Sequence, residues 1–161
     1  MRCARHAPPR PKELHTRWNA EIVARLVAGT TDTLASLGVA PGHIDVVDVP
    51  GAFELPFAAQ QLLRAAAARG APYAACVAIG VLIKGSTMHF EYISDAACHG
   101  LMDVGLRTGF PVILGVLTCL TEEQARERAG AGADPARSHN HGIDWAVSAV
   151  EMALLSQPTR A

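Results

Sequence analysis

Apolar residues recur along this chain in two alternating rhythms. From Asn19, the sequence NAEIVARLVAGTTDTLASLG places Ile22, Val23, Leu26, Val27, Leu34 and Leu37 at the three- and four-residue spacing of a helix face. Asn19 is placed to cap that helix and Gly38 to end it. IDVVDV (44–49) is short and β-branched and reads as a strand. After the turn PGAFE (50–54), LPFAAQQLLRAAAARG predicts an Ala/Leu-rich helix closing at Gly70. YAACVAIGVLI (73–83) and PVILGVLT (111–118) are apolar almost throughout, as strands covered on both faces tend to be. Between them, HFEYISDAACHGLMDVGLRTG carries a third helix. Thr121 to Gln124 has the spacing of a capping box and opens the helix EEQARERAG. A polar loop, AGADPARSHNHG, then leads to a last helix near IDWAVSAVEMALLS.

Strands alternating with helices predict a parallel sheet covered on both sides, an α/β sandwich. Ligands of such sheets bind beyond the carboxyl ends of the strands, where the strand order switches direction. The apolar run ending in KGSTMH (84–89) therefore stops where this architecture puts its chemistry. Lys84 precedes Gly85, the reverse of a nucleotide-binding P-loop, in which lysine follows glycine. Two uses remain for Gly-Ser-Thr ahead of a helix. Its backbone N–H groups and the hydroxyls of Ser86 and Thr87 can hold an anion such as phosphate, or one hydroxyl can simply cap the helix. His89 follows in the first helical turn, and histidine is the side chain suited to exchanging protons near neutral pH. Glu91 is near enough in sequence to orient it. In PGAFE, Gly51 permits unusual backbone angles and Glu54 can accept hydrogens from a ligand; a plain tight turn is the alternative. Trp18 can stack on a flat heterocycle or cover the edge of the core. Arg128 is either a surface charge or a phosphate ligand. His139 and His141 stand two apart without a third ligand at recognisable spacing, so no metal site is expected.

Composition narrows the field. The 161 residues suit one domain, and with half of them hydrophobic and 18% charged the chain is expected to fold. A net charge of −1 and eight aromatic residues leave neither the basic stripe nor the stacking platform of a nucleic-acid binder. The longest apolar run, Ala74 to Ile83, is about half a membrane span. Cys3, Cys76, Cys98 and Cys119 form no CxxC pattern, and Cys76 and Cys119 sit inside apolar runs as core residues do. MRCARHAPPRPKELH (1–15) contains no hydrophobic signal segment. A reduced, cytoplasmic setting is expected.

TRWN, VPGAFELP, AIGVLIKGSTMHFEYIS, PVILGVLT, EEQARERAG and HNHGIDWAVSAVEMA, in that order over about residues 15 to 154, resemble lumazine synthase, especially its fungal branch. The resemblance implies a flavodoxin-like three-layer sandwich and an enzyme of riboflavin biosynthesis. Such an enzyme condenses 5-amino-6-(D-ribitylamino)uracil with 3,4-dihydroxy-2-butanone 4-phosphate to 6,7-dimethyl-8-ribityllumazine, without metal or organic cofactor. By the same resemblance, Trp18 would stack on the pyrimidine, and Ala52, Phe53 and Glu54 would line the ribityl-binding face. Val81, Leu82 and Ile83 would contact the ring. Ser86 and Thr87 would bind the phosphate with Arg128 of an adjacent subunit, and His89 would transfer protons. It also implies a homopentamer with shared active sites, the loop 131–142 being similar to that of pentameric fungal members.

Two departures stand out. Leu114 occupies a pocket-edge position where the family usually has phenylalanine. Before TRWN the family has an apolar central strand, whereas here the stretch is HAPPRPKELH, with prolines at 8, 9 and 11. Proline cannot donate to a strand ladder. The expectation is a disordered segment over 1–14, a domain over 15–156, a short tail over 157–161, and a sheet whose first central strand is missing or altered. Two alternatives follow, a non-catalytic flavin- or lumazine-binding homologue and an assembly-only subunit. A flavodoxin-type electron carrier fits less well, because the phosphate signal follows the 73–83 strand.

Overall fold

A computed structural model describes residues 11–156. Four parallel strands, β1 (Pro11–Thr16), β2 (Asp45–Val49), β3 (Ala75–Ile83) and β4 (Val112–Cys119), form one sheet in the order β2-β1-β3-β4. Five helices connect and cover them: α1 (Ala20–Ser36), α2 (Leu55–Ala68), α3 (His89–Thr108), α4 (Glu122–Arg128) and α5 (His141–Leu155). The predicted alternation is present throughout.

β3 explains the layers, because successive strand side chains point to opposite faces. Ala75, Val77, Ile79 and Val81 pack with Ile22, Val23 and Leu26 of α1 and Ala149 and Ala153 of α5. Cys76 and Ala78 pack on the other side with Leu14, with Leu55 and Leu63 of α2, and with Leu101 and Val104 of α3. The result is a three-layer sandwich with a core on each side of the sheet. Burial pushes the Cys76 thiol up to about 12, so it is an inert core group at neutral pH. Among the described residues, no helix is long and apolar enough to cross a membrane.

Of the two expectations for the first central strand, missing or altered, the structure shows the second. PKELHT forms β1, and β1 is central, bonded to β2 along one edge and to β3 along the other. Residues 11–14 therefore belong to the folded domain. Pro11 stands at the first position of the strand, where its missing N–H is tolerated. Pro8 and Pro9 lie outside the described residues, as does the expected tail over 157–161. The altered feature is the side-chain chemistry, since Lys12, Glu13 and Thr16 are all buried in the interior of the sheet.

Lys12 is accommodated by aromatic and polar neighbours. Its Nζ lies 5.2 Å from the centre of the Tyr73 ring, whose hydroxyl donates to Asp45 Oδ2 at 2.7 Å. Glu13, wholly buried on the opposite face, meets Thr31 of α1, whose Oγ1 is 3.1 Å from both carboxyl oxygens. That same hydroxyl lies 2.9 Å from Val27 O. A hydroxyl has one proton to give. With Glu13 protonated, the acid can donate to Thr31 and Thr31 to Val27, satisfying the chain of bonds; with Glu13 ionised, one acceptor goes without. Burial accordingly pushes the Glu13 carboxyl from 4.5 up to about 7, with the Thr31 bond pulling weakly the other way.

Glu13 holds its proton more tightly in the folded chain, so its contribution is fully present below about pH 4.5 and is lost as pH rises through about 7. The loss amounts to roughly 3 kcal/mol. Glu13→Gln, a permanently neutral mimic of the acid, is expected to gain stability on the wild type between pH 5 and 8 in denaturant titrations. Parallel stability–pH curves for the two proteins would contradict this account of β1.

Candidate active site

The chain leaves β1, β2 and β3 at the same end of the sheet, and β1 and β3 flank the point where strand order reverses. A cavity of about 540 Å³ opens there. From the end of β1 come Thr16, Trp18 and Asn19; from the turn after β2 come Gly51, Ala52, Phe53 and Glu54. The end of β3 adds Val81, Leu82 and Ile83, and the start of α3 adds His89 and Ile93. The structure thus gathers eight of the predicted site residues around one space.

Each wall has a local cause. Asn19 does not cap α1 with its side chain. It adopts the left-handed conformation (φ 55°), which asparagine tolerates better than most residues, and donates from Nδ2 to Val81 O at 2.9 Å. This bond fixes the β1–α1 turn to the end of β3. Trp18 stands 73% exposed in that turn, an indole face with little protein against it. Gly51 does not use its freedom of angle, since its φ of −161° is ordinary extended backbone. Its smallness matters instead: a Cβ there would lie 3.1 Å from Glu54 Oε2 and 3.6 Å from Trp18 Cδ1. The glycine lets the indole and the carboxylate approach each other. Glu91 pairs with Lys84, whose Nζ also lies 5.9 Å from the Phe90 ring centre, so the carboxylate engages the strand end rather than His89.

Ser86 and Thr87 are exposed in the loop between β3 and α3. Thr87 Oγ1 accepts from the His89 N–H at 3.4 Å, a loose contact, and Met88 rather than a hydroxyl residue stands at the helix cap. Neither Ser86 nor Thr87 is consumed by strong capping. Leu114, 45% exposed on edge strand β4, and Arg128, exposed on α4, do not reach the cavity of their own chain. Thr121 does cap α4, accepting from Gln124 N–H at 3.3 Å, while Gln124 Oε1 reaches back to the Leu120 N–H.

The histidine pair has a different setting. His139 Nε2 lies 2.8 Å from Asp144 Oδ2, and its ring meets that of His141 edge-on at 5.6 Å. His141 is shifted downward by burial, which Asp144 partly offsets and His139 and Arg128 reinforce. Asn140 caps α5 by accepting from the Gly142 N–H and donates to Arg25 O at 2.8 Å. Gly142 is held so close to α1 that a Cβ would fall 2.3 Å from Leu26 O. An isolated Ala129–Asn140 bridge and a bond from His139 N–H to Glu127 O close the base of the intervening loop.

A sequence model of 6,7-dimethyl-8-ribityllumazine synthase matches residues 14–157 of this chain. The chain belongs to that family. Its curated relatives include a 6,7-dimethyl-8-ribityllumazine synthase from Schizosaccharomyces pombe, 53% identical over 142 residues that span 88% of this chain and 84% of the relative. One from Pyricularia oryzae is 44% identical with the same coverage, and one from Xanthomonas campestris 42% identical over 88% of this chain and 86% of its own. The higher identity to the fission-yeast protein accords with the fungal-like motifs. The family's flavodoxin-like architecture is the one described above.

Thr16, Asn19, Gly51 and Ile93 complete the cavity but were not predicted as ligand-binding residues. Asn19 carried a signal, a polar residue directly after TRW, but it suggested a helix cap. Asn19→Gly keeps the left-handed backbone and loses only the bond to Val81, whereas Asn19→Ala loses both. The expected costs are about 1 kcal/mol for glycine and about 2 kcal/mol for alanine, read from denaturant midpoints. Equal losses would show that the backbone angle carries no strain.

Proposed function

We propose that this cavity binds 5-amino-6-(D-ribitylamino)uracil and condenses it with 3,4-dihydroxy-2-butanone 4-phosphate to give 6,7-dimethyl-8-ribityllumazine. The observation that carries the proposal is the convergence of Trp18, the 52–54 turn, the 81–83 strand end and His89 on one cavity at the switch point of the sheet. The Trp18 indole offers a face for the pyrimidine, Ala52, Phe53 and Glu54 a wall for the ribityl chain, and Val81 to Ile83 an apolar strand end against the ring.

The substrates supply both nucleophile and electrophile. The 5-amino group attacks the ketone and loses water to form an imine; phosphate then leaves, and the ribitylamino nitrogen closes the second ring with loss of another water. The protein contributes orientation, an anion site for the departing phosphate, and a proton carrier. Ser86 and Thr87 hydroxyls beside the start of α3 suit the phosphate, and His89, the first residue of α3, suits proton transfer. None of these steps requires a metal or organic cofactor.

Leu114 and Arg128 enter this reading from a neighbouring copy. Both are exposed and away from the cavity of their own chain, as residues serving an adjacent subunit would be. The exposed Phe57, Tyr92, Met102 and Leu106 of α2 and α3 provide apolar surface for such a contact. We take the assembly to be a homopentamer in the cytoplasm, a reducing compartment that suits the free Cys76, Cys98 and Cys119.

Incubation of the purified chain with both substrates is expected to yield the fluorescent lumazine faster than the uncatalysed background; no acceleration would favour a binding-only homologue. His89→Ala is expected to lower kcat on the order of a hundredfold while leaving pyrimidine affinity within about threefold. Equal losses in both would remove His89 from the proton-transfer role. Sedimentation is expected to give a pentamer, and active monomers would contradict the shared site.

A further inference from the structure

Lys84 opens the loop that carries Ser86 and Thr87, yet its ammonium is engaged by a carboxylate. Its backbone N–H donates to Cys119 O at 2.9 Å, which continues the β3–β4 pairing one residue past the end of β3. From that anchored position the side chain spans the loop to Glu91, in the first turn of α3, with Nζ 5.9 Å from the centre of the Phe90 ring. Glu91 depends on this partner, because its other oxygen, Oε2, is buried without a hydrogen bond. A carboxylate in the first turn of a helix is drawn to the same positive end that suits an anion. Without Lys84 its charge would repel a phosphate held at Ser86 and Thr87. The two side chains are 35% and 37% exposed, so salt screens that charge less than it would on an open surface.

We propose, resting on the function stated above, that Lys84 is a positioning residue for the phosphorylated substrate that acts through Glu91. It holds and neutralises the carboxylate, so that the start of α3 accepts the phosphate of the butanone; it is not itself the phosphate ligand. The pyrimidine substrate carries no phosphate, so its binding is indifferent to the pair.

The test separates the charge of Glu91 from the tie across the loop. Lys84→Met is expected to raise KM for the butanone phosphate, and the inhibition constant of inorganic phosphate, by about fivefold to twentyfold. KM for the pyrimidine should stay within twofold. Adding Glu91→Gln to Lys84→Met removes the uncompensated charge and is expected to bring both constants back to within about twofold of the wild type, as is Lys84→Arg alone. A double variant as impaired as Lys84→Met overturns the proposal, because a lost structural tie is not mended by removing its second half. Equal rises in KM for both substrates overturn it too. Glu91→Gln alone, which does not depend on how well Lys84→Met folds, is expected to hold or lower KM for the butanone phosphate, and a rise is the opposite result. Ser86→Ala with Thr87→Val tests the phosphate site itself: an unchanged KM for the butanone phosphate there overturns the site and the role of Lys84 together. A raised KM there beside an indifferent Lys84→Met overturns the role of Lys84 alone.

Discussion

A parallel sheet is held together by its inner strands, and here one of the two, β1, carries the least apolar sequence of the four. β1 must satisfy backbone groups toward both β2 and β3, because unpaired N–H and C=O groups buried in the sheet would be costly. The ladder is indifferent to side-chain identity, so PKELHT can occupy the position once its buried charged side chains, Lys12 and Glu13, find company. Lys12 lies against Tyr73, and Glu13 shares a hydroxyl with the α1 backbone. Two cores, five helices and the position of every loop around the cavity depend on that strand being present.

The site inherits its geometry from the strand order. With β1 and β3 adjacent, the connections that follow them diverge and leave a space that neither helix layer fills. Small side chains keep it open on one flank, where Gly51 allows Trp18 and Glu54 to stand together. The Asn19 bond across to Val81 then fixes the turn against the strand that supplies the opposite wall. Binding surface is thus built from ends of rigid elements and little free loop.

Most of this was legible in the sequence because hydrophobic rhythm reports directly on burial. The long apolar runs at 73–83 and 111–118 located β3 and β4, and the ordered motifs identified the cavity walls. β1 was obscured because its proline and charges, and the prolines just before it in sequence, speak against a strand, while what makes it one is pairing with Asp45–Val49 and Ala75–Ile79, far away in sequence. Asn19 and Gly51 were noticed for the wrong physical reason: both serve contacts across the cavity mouth, where sequence rules suggested a cap and an unusual turn. Thr16 gave no signal at all, since its place beside the cavity is a property of surroundings that only the fold creates.

The clasp at Ala129 and Asn140 has a separate consequence. Bonds close the excursion at its base, the Ala133 N–H donates to Glu123 and Arg137 pairs with Glu127 of α4, which leaves the tip at residues 134–136 held by local bonds. Closing a longer loop costs only a slowly growing entropy. Extra residues inserted at that tip, between Asp134 and Ala136, lengthen it without touching the sheet or the cavity.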